Sequence, residues 1–310
     1  MKIGIIGRSE WTYDSMTLLK ESGHQITFIV TAKEAPEYKY TSKDFQKFAR
    51  ANNIPFLHDT SITVDKLLNL ISDLQTEICI SVNYSGIIAE NIISLFPLGI
   101  LNAHGGDLPK YRGNACQAWA IINREDRIGL CIHKMVGGEL DSGDIIERSY
   151  MDIDINSNIG KIYNWMEQEI PVLILNSVEK LEKEPEYILE TQSKNAREVL
   201  RTYPRNPDDG KIDWNKDGES IIRLINASSE PFSGAFTSYN SDKLIIWRAA
   251  LFTDNENYSS ATGQIAKINK DSGNIIVITG KGKIEITEIE VNGERTKPAV
   301  AIKSIRVRLK

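Results

Sequence analysis

Residues 1–30 read MKIGIIGRSEWTYDSMTLLKESGHQITFIV. Ile3–Ile6 is a short apolar run, the pattern of a strand buried on both faces. Gly7 ends it. Helical spacing of apolar residues follows over about Tyr13–Glu21, and Gly23 supplies a C-terminal stop. Ile26–Val30 is a second strand. The same alternation continues outward. After a loop over 31–41, Ser42 caps a predicted helix through Ala51, and a further helix near Val64–Leu74 precedes the strand Ile78–Val82. A helix near Ala89–Leu95 leads to the short strand Ile100–Asn102. Asn114–Asn123 reads as helix, and Leu130–Met135 and Asp144–Tyr150 as extended chain. Strands alternating with helices predict an α/β fold with a Rossmann-like parallel sheet. Ligands of such sheets bind beyond the carboxyl ends of the strands, and Asn102 sits at one such end.

Beyond this first half, Ser157–Lys183 has the apolar spacing of a long amphipathic helix, and Pro171 inside it predicts a kink or break. Residues 186–213 are polar and proline-punctuated, the composition of a passage between domains. Asp217–Ala227 reads as a short helix. From Ala235 onward the pattern is β, with turns at Gly263, Gly273, Gly280 and Gly282, as in a small OB-like barrel. Within IEITEIEV the alternation slips phase between Thr287 and Glu288, which calls for a β-bulge. The expected organisation is a catalytic domain over 1–200, a connecting helix and strands over 201–250, and a β-barrel-like domain over 251–310.

The chain has 310 residues, enough for two domains with a sizeable core. A net charge of -5 gives no global pull toward nucleic acid or anionic membrane. Residues 261–310 depart from this, with ten Lys or Arg against five Asp or Glu. Such a surface either faces phosphates or is a solvated β-rich face. Cys79, Cys116 and Cys131 lie among apolar residues without metal-ligand spacing, so buried reduced thiols in a cytoplasmic protein are expected. No apolar run approaches the roughly 18 residues of a membrane span, and the first apolar run breaks at Arg8. No membrane partner is expected.

The chemistry concentrates in two segments. Residues 99–113 read GILNAHGGDLPKYRG. Asn102 and His104 are two apart, so on a strand both face the same side. Residues 137–145, GGELDSGDI, form a glycine-shaped loop that presents Asp141, with Asp144 as the turn-former. Taken singly, each residue has an ordinary role: a strand-end Asn as a turn-former, a lone His as a polar side chain, an Asp in a Gly-rich loop as a cap. Their combination in two whole segments, in order, is what marks a site.

These segments resemble the signature of the folate-dependent formyltransferases, the group that holds methionyl-tRNA formyltransferase, glycinamide ribonucleotide transformylase and the sugar-nucleotide N-formyltransferases. Asn102-x-His104, Leu108-Pro109, Tyr111-Arg112-Gly113 and Asp141-Ser142-Gly143-Asp144 match its pattern position by position. Gly106-Asp107 stands where the family usually has Ser-Leu. The resemblance implies 10-formyltetrahydrofolate as donor and no metal. It implies Asn102, His104 and Asp141 as the catalytic trio. Ser81–Ile93 is similar to the segment whose backbone holds the pterin, which implies main-chain contacts from Gly86 and Ile88, with Glu139 and Leu140 facing from the other loop.

In this chemistry an amine attacks the formyl carbonyl, so a donor must face the developing oxyanion and a base must lie within reach. Asn102 supplies an amide N–H. His104 is the natural base, and as a cation it could also stabilise the oxyanion. Asp141 orients His104, holds a water or relays the proton.

The expected acceptor is an amino-sugar nucleotide, as in surface polysaccharide synthesis, or the aminoacyl end of initiator tRNA; length argues against a small purine precursor, since that relative is essentially the first domain alone. Residues 31–43, TAKEAPEYKYTSK, mix three Lys with two Glu and contain no Arg, which weighs against tRNA, while the basic tail weighs for it. PDDGKIDW (207–214) and PFSGAFTSY (231–239) are similar to the 4-amino-4-deoxy-arabinose formyltransferase region and to other sugar formyltransferases. Tyr111, Arg112, Arg201, Arg205 and Phe232 are the candidate acceptor contacts, with solvated linker charges as the even alternative for the last two arginines. Trp214 is expected in the core. The resemblance also implies a homodimer. A non-enzymatic folate- or nucleotide-binding module is the remaining alternative.

Overall fold

The computed structural model describes residues 1–71, 75–240 and 242–310. The chain forms two compact units. One comprises Met1–Cys116, Ile128–Met151 and Tyr163–Thr202, and the other Gln117–Arg127, Asp152–Ile162 and Tyr203–Lys310.

The first unit begins with β1 (Lys2–Gly7), α1 (Glu10–Glu21), β2 (Gln25–Thr31), α2 (Ser42–Ala51), β3 (Phe56–His58), α3 (Val64–Ile71) and β4 (Ile78–Val82). It continues with α4 (Glu90–Ile93), β5 (Ile100–His104), β6 (Arg112–Gly113), β7 (Arg127–Lys134), β8 (Ile145–Asp152), most of α6 (Ile159–Lys183) and β9 (Arg201–Thr202), while α5 (Cys116–Ile122) falls almost wholly in the second unit. The predicted continuation of α3 to Leu74 lies outside the described residues. Seven strands form one sheet in the order β3-β2-β1-β4-β5-β7-β8. The first five are mutually parallel, and β7 runs antiparallel to β5. Chain order reverses direction between β1 and β4, the switch point where such sheets bind ligands. The apolar runs of β1, β2 and β4 are buried along nearly their whole length, and Phe28, Leu67, Cys79, Ile92, Phe96 and Ile100 pack beneath one face.

Two local expectations need correction. The cap of α2 is Thr41 rather than Ser42, because the Asp44 carboxylate accepts from the Thr41 N–H at 2.8 Å and closes a capping box. Helix α6 runs unbroken through Pro171. A proline removes one intrahelical bond, and the buried Ile170, Leu173, Ile174 and Val178 on either side hold the helix in register.

The second unit holds a 3-10 turn (Pro207–Gly210), α7 (Gly218–Ala227), β10 (Ala235–Tyr239), β11 (Asp242–Phe252), β12 (Ile265–Ile268), β13 (Ile275–Ile278), β14 (Lys283–Val291), β15 (Glu294–Thr296) and α8 (Pro298–Ala301). Asp217 caps α7 by accepting from the Ser220 N–H. The antiparallel strands pair in the order β10-β11-β14-β13-β12, with β15 on the end of β14. The register between β11 and β14 shifts around Thr287, where the alternation in the sequence slips. The final residues join the two outer strands. Lys310 exchanges backbone hydrogen bonds with Ser238 of β10, and the Leu309 N–H donates to the Gly263 carbonyl just before β12. Leu309 itself is buried with Ile212, Ile246, Ile265 and Ile286. Trp214 lies in the same core and donates its indole N–H to Thr237 Oγ1 at 3.0 Å. Among the described residues no helix is long and apolar enough to cross a membrane.

Candidate active site

A cavity of about 410 Å³ lies within the first unit, lined by Ser81 from β4, by Asn102, Ala103 and His104 from β5, and by the loops around Asn83–Ile88 and Met135–Asp141. Sheet register builds one wall. Ser81 is paired with Asn102 across β4 and β5, and Asn102 with His133 across β5 and β7. Two residues further on, His104 projects on the same side as Asn102.

His104 is buried. Its Nε2 lies 2.7 Å from the Tyr111 carbonyl oxygen, and its Nδ1 lies 3.5 Å from Asp141 Oδ2. Neither neighbour has a hydrogen to give, so the Tyr111 carbonyl places one hydrogen on Nε2 and the Asp141 carboxylate beside Nδ1 favours the imidazolium. Burial opposes that charge. The Asp141 carboxylate, Cys116 and the Tyr111 carbonyl outweigh it, so the pKa is raised above the usual 6.5. The converse holds for Asp141. Burial pushes its carboxyl up, but the His104 imidazolium, His133 and the Gly113 N–H together hold it well below the usual carboxylate range.

Backbone shape places Asp141. Its φ of 49° is left-handed, and the Gly113 N–H donates to Oδ2 at 2.8 Å. Gly113 has a φ of 108°, and a Cβ there would collide with the Thr202 carbonyl. A Cβ on Gly143 would strike the Lys134 carbonyl, so the turn after Asp141 needs glycine. The Gln192 carboxamide donates from Nε2 to the carbonyls of Asp141 (3.0 Å) and Gly143 (2.6 Å).

His133 is the neighbour that sequence reading missed. Its Nδ1 lies 2.9 Å from the Lys134 carbonyl and therefore carries the hydrogen. Its Nε2 lies 3.2 Å from Asn102 Nδ2 and 3.6 Å from Asp141 Oδ1, and in the neutral ring it accepts from the amide. In that tautomer one amide hydrogen of Asn102 is held by His133 and the second is left for the cavity.

The structure brings Asn102, His104, Asp141, Gly86, Ile88, Glu139 and Leu140 together on one cavity. Tyr111 is buried and offers His104 its carbonyl rather than its ring. Arg112 donates from a terminal nitrogen to Gln192 Oε1 at 2.7 Å. Arg201 is exposed on β9, whose partner is β6. Arg205 donates to the Ala227 carbonyl at the end of α7, to the Asp209 carbonyl and to Ser228 Oγ, and stacks over Trp119. Phe232 is part of the second unit. Arg112, Arg201, Arg205 and Phe232 do not line the cavity. Among the described residues no group of three or more His, Cys, Asp or Glu side chains could hold a metal.

Known proteins carry the same architecture. A methionyl-tRNA formyltransferase from Acetivibrio thermocellus is 26% identical over 300 residues, covering 95% of this chain and 93% of its own length. An N-formyltransferase from Helicobacter canadensis, solved with folinic acid and dTDP-3-aminofucose, superposes with a TM-score of 0.66 at 18% identity, covering 93% of this chain and 99% of that one. HypX from Aquifex aeolicus, solved with tetrahydrofolic acid, gives a TM-score of 0.63 at 15% identity over 98% of this chain, which spans only 47% of HypX. The formyl transferase family model matches residues 1–178, and the formyl transferase C-terminal domain matches residues 205–305. With more than half its length matched in this way, the chain belongs to the folate-dependent formyltransferase family.

Proposed function

We propose that this enzyme moves the formyl group of 10-formyltetrahydrofolate onto the amino group of a nucleotide-linked amino sugar. The observation that carries the chemistry is the convergence of Asn102, His104 and Asp141 on one cavity. The donor, when bound, supplies the formyl carbon. Ile87, Val136 and Leu140 are exposed apolar side chains that line this cavity and suit a flat heteroaromatic ring, and the backbone of Gly86, Ile88, Glu139 and Leu140 offers it polar groups.

In the transfer, a bond forms between the acceptor nitrogen and the formyl carbon, and the bond from that carbon to the donor nitrogen breaks. The acceptor loses one proton and the donor nitrogen gains one. The remaining N–H of Asn102 faces the charge that develops on the formyl oxygen. His104 begins as a cation and cannot begin as a base. It hands a proton to the oxyanion as negative charge grows, the neutral imidazole so formed takes the proton of the amine, and the hydroxyl proton passes to the donor nitrogen as its bond to carbon breaks, which restores the carbonyl and the imidazolium. Asp141 stays ionised and holds the ring.

Support for a sugar acceptor comes from the loop after β2. The Lys39 ammonium pairs with Glu167, and the Lys39 N–H donates to Glu10. Arg8 donates to the carbonyls of Lys33 and Asn83. A tRNA-binding arm needs several cations free for phosphates, and of the three lysines in this Arg-free loop Lys39 is held by Glu167. The Helicobacter neighbour, solved with a dTDP-amino sugar, points the same way. The second reading, methionyl-tRNA, is favoured by the name of the Acetivibrio relative. Incubation with 10-formyltetrahydrofolate and, separately, dTDP-3-aminofucose, other amino-sugar nucleotides and charged initiator tRNA, read by mass spectrometry, separates the two. A gain of one formyl group on a sugar is the expected result. Formylation of the tRNA and of no sugar would overturn the choice of acceptor.

A further inference from the structure

Residues 190–202 follow the sheet in sequence and read as a linker, yet they are bonded along both loops of the site. The Glu190 backbone is bridged to Ile145. Arg112 N–H donates to the Leu200 carbonyl, Asn114 N–H to the Thr202 carbonyl, and Thr202 Oγ1 to the Arg112 carbonyl. Gln192, only 4% exposed, lies between these anchors. Both hydrogens of its single amide nitrogen go to carbonyls of the turn that carries Asp141, and its oxygen accepts from Arg112. The adjacent Gly113 N–H holds the Asp141 carboxylate itself. Arg112 and Gln192 thus form a chain of hydrogen bonds that starts at a cation. Such a chain polarises the amide and strengthens the two bonds it donates.

We propose that Gln192 is a positioning residue for the formyl transfer, anchored by Arg112, which fixes the turn at Asp141 so that the carboxylate stays against His104. It touches no reacting atom and acts through Asp141. The inference rests on the reading of His104 and Asp141 as the working pair.

The groups facing the His104 ring are Asp141 from the 137–144 loop, Cys116 from α5, and Cys131 and His133 from β7. None of them is altered by Gln192→Met, which keeps the length of the side chain and removes its hydrogen bonds. The test is an NMR titration of the His104 ring in the full-length, ligand-free chain, wild type against Q192M, with folding checked by circular dichroism. The expected result is a fall of the His104 midpoint by about one pH unit or more in Q192M, the scale set by one nearby opposite charge. With substrates, kcat falls about 100-fold, the scale of an ångström's misplacement, while the donor KM holds. A folded Q192M with an unchanged His104 midpoint would overturn the proposal. Should Q192M fail to fold, Arg112→Met is titrated in its place. Removing a cation directly would raise the His104 midpoint, so a fall supports the anchor role, and a rise or no change refutes it. The titration needs no acceptor, so an error in the sugar assignment leaves it standing.

Discussion

His133 Nε2 lies 3.2 Å from Asn102 Nδ2, across directly paired positions of β7 and β5. With its other nitrogen at the Lys134 carbonyl, a neutral His133 accepts from the amide and so sets the direction in which Asn102 donates. His133→Leu is expected to lower kcat about 10-fold to 100-fold, the usual cost of losing an orienting partner, with donor affinity unchanged. Steady-state kinetics beside calorimetric titration of the donor checks this. An unaltered kcat would remove His133 from the mechanism.

Asn102→Ala removes the N–H aimed at the developing oxyanion. The barrier is expected to rise by about 2.7–4 kcal/mol, a loss of two to three decades in kcat. Donor binding, which the proposed function places on the loops at 83–88 and 136–141, should survive. If binding and turnover fall together, Asn102 holds the donor rather than the transition state.

The His104–Asp141 pair should write a pH signature on stability. The His104 pKa is raised above 6.5 in the folded chain, so its contribution is fully present below that value and is lost as pH rises toward the folded pKa. Asp141 lies below its ordinary 3.8, so its contribution is present above 3.8 and is lost as pH falls through the folded value. The advantage of wild type over Asp141→Asn in thermal midpoint should therefore be greatest between these two values and shrink as pH climbs above 6.5. A difference that stays flat from pH 5 to pH 9 would argue that the pair carries no charge.

Leu309 is 1% exposed in the core of the second unit and sits in the segment that joins β10 to the start of β12. Leu309→Ala should destabilise this unit by about 2–5 kcal/mol, the range for emptying a buried leucine site. Denaturant unfolding followed by Trp214 fluorescence reports on it. A change below about 0.5 kcal/mol, the level of an ordinary surface substitution, would show that the segment is not part of the core.

Much of this was legible in the order of residues. The apolar runs of β1, β2 and β4 announce buried parallel strands, and the pairing of Asn102 with His104 follows from the two-residue period of a strand. The bulge at Thr287 shows as a slip in alternation. Three features were not legible. His133 sits in LCIHKM, where a lone histidine on an apolar strand reads as packing, and only the antiparallel register of β7 against β5 reveals its partner. The two-residue strands β6 and β9 are too short for any periodicity. The polar stretch near Gln192 looks like a linker because its bonds go to distant backbone carbonyls, which leave no trace in side-chain pattern.

The lacing of 190–202 onto the site bears on how the molecule can be recombined. A fragment cut at the end of α6, at Lys183, would keep all seven strands of the sheet together with Asn102, His104 and Asp141. It would lack Gln192 and Thr202, and with them the ties that hold the turns at Asp141 and Arg112. Chimeras that graft a foreign second unit onto this scaffold should therefore place their junction after Thr202. A splice at the close of the last long helix would deliver the catalytic side chains without the geometry that makes them a site.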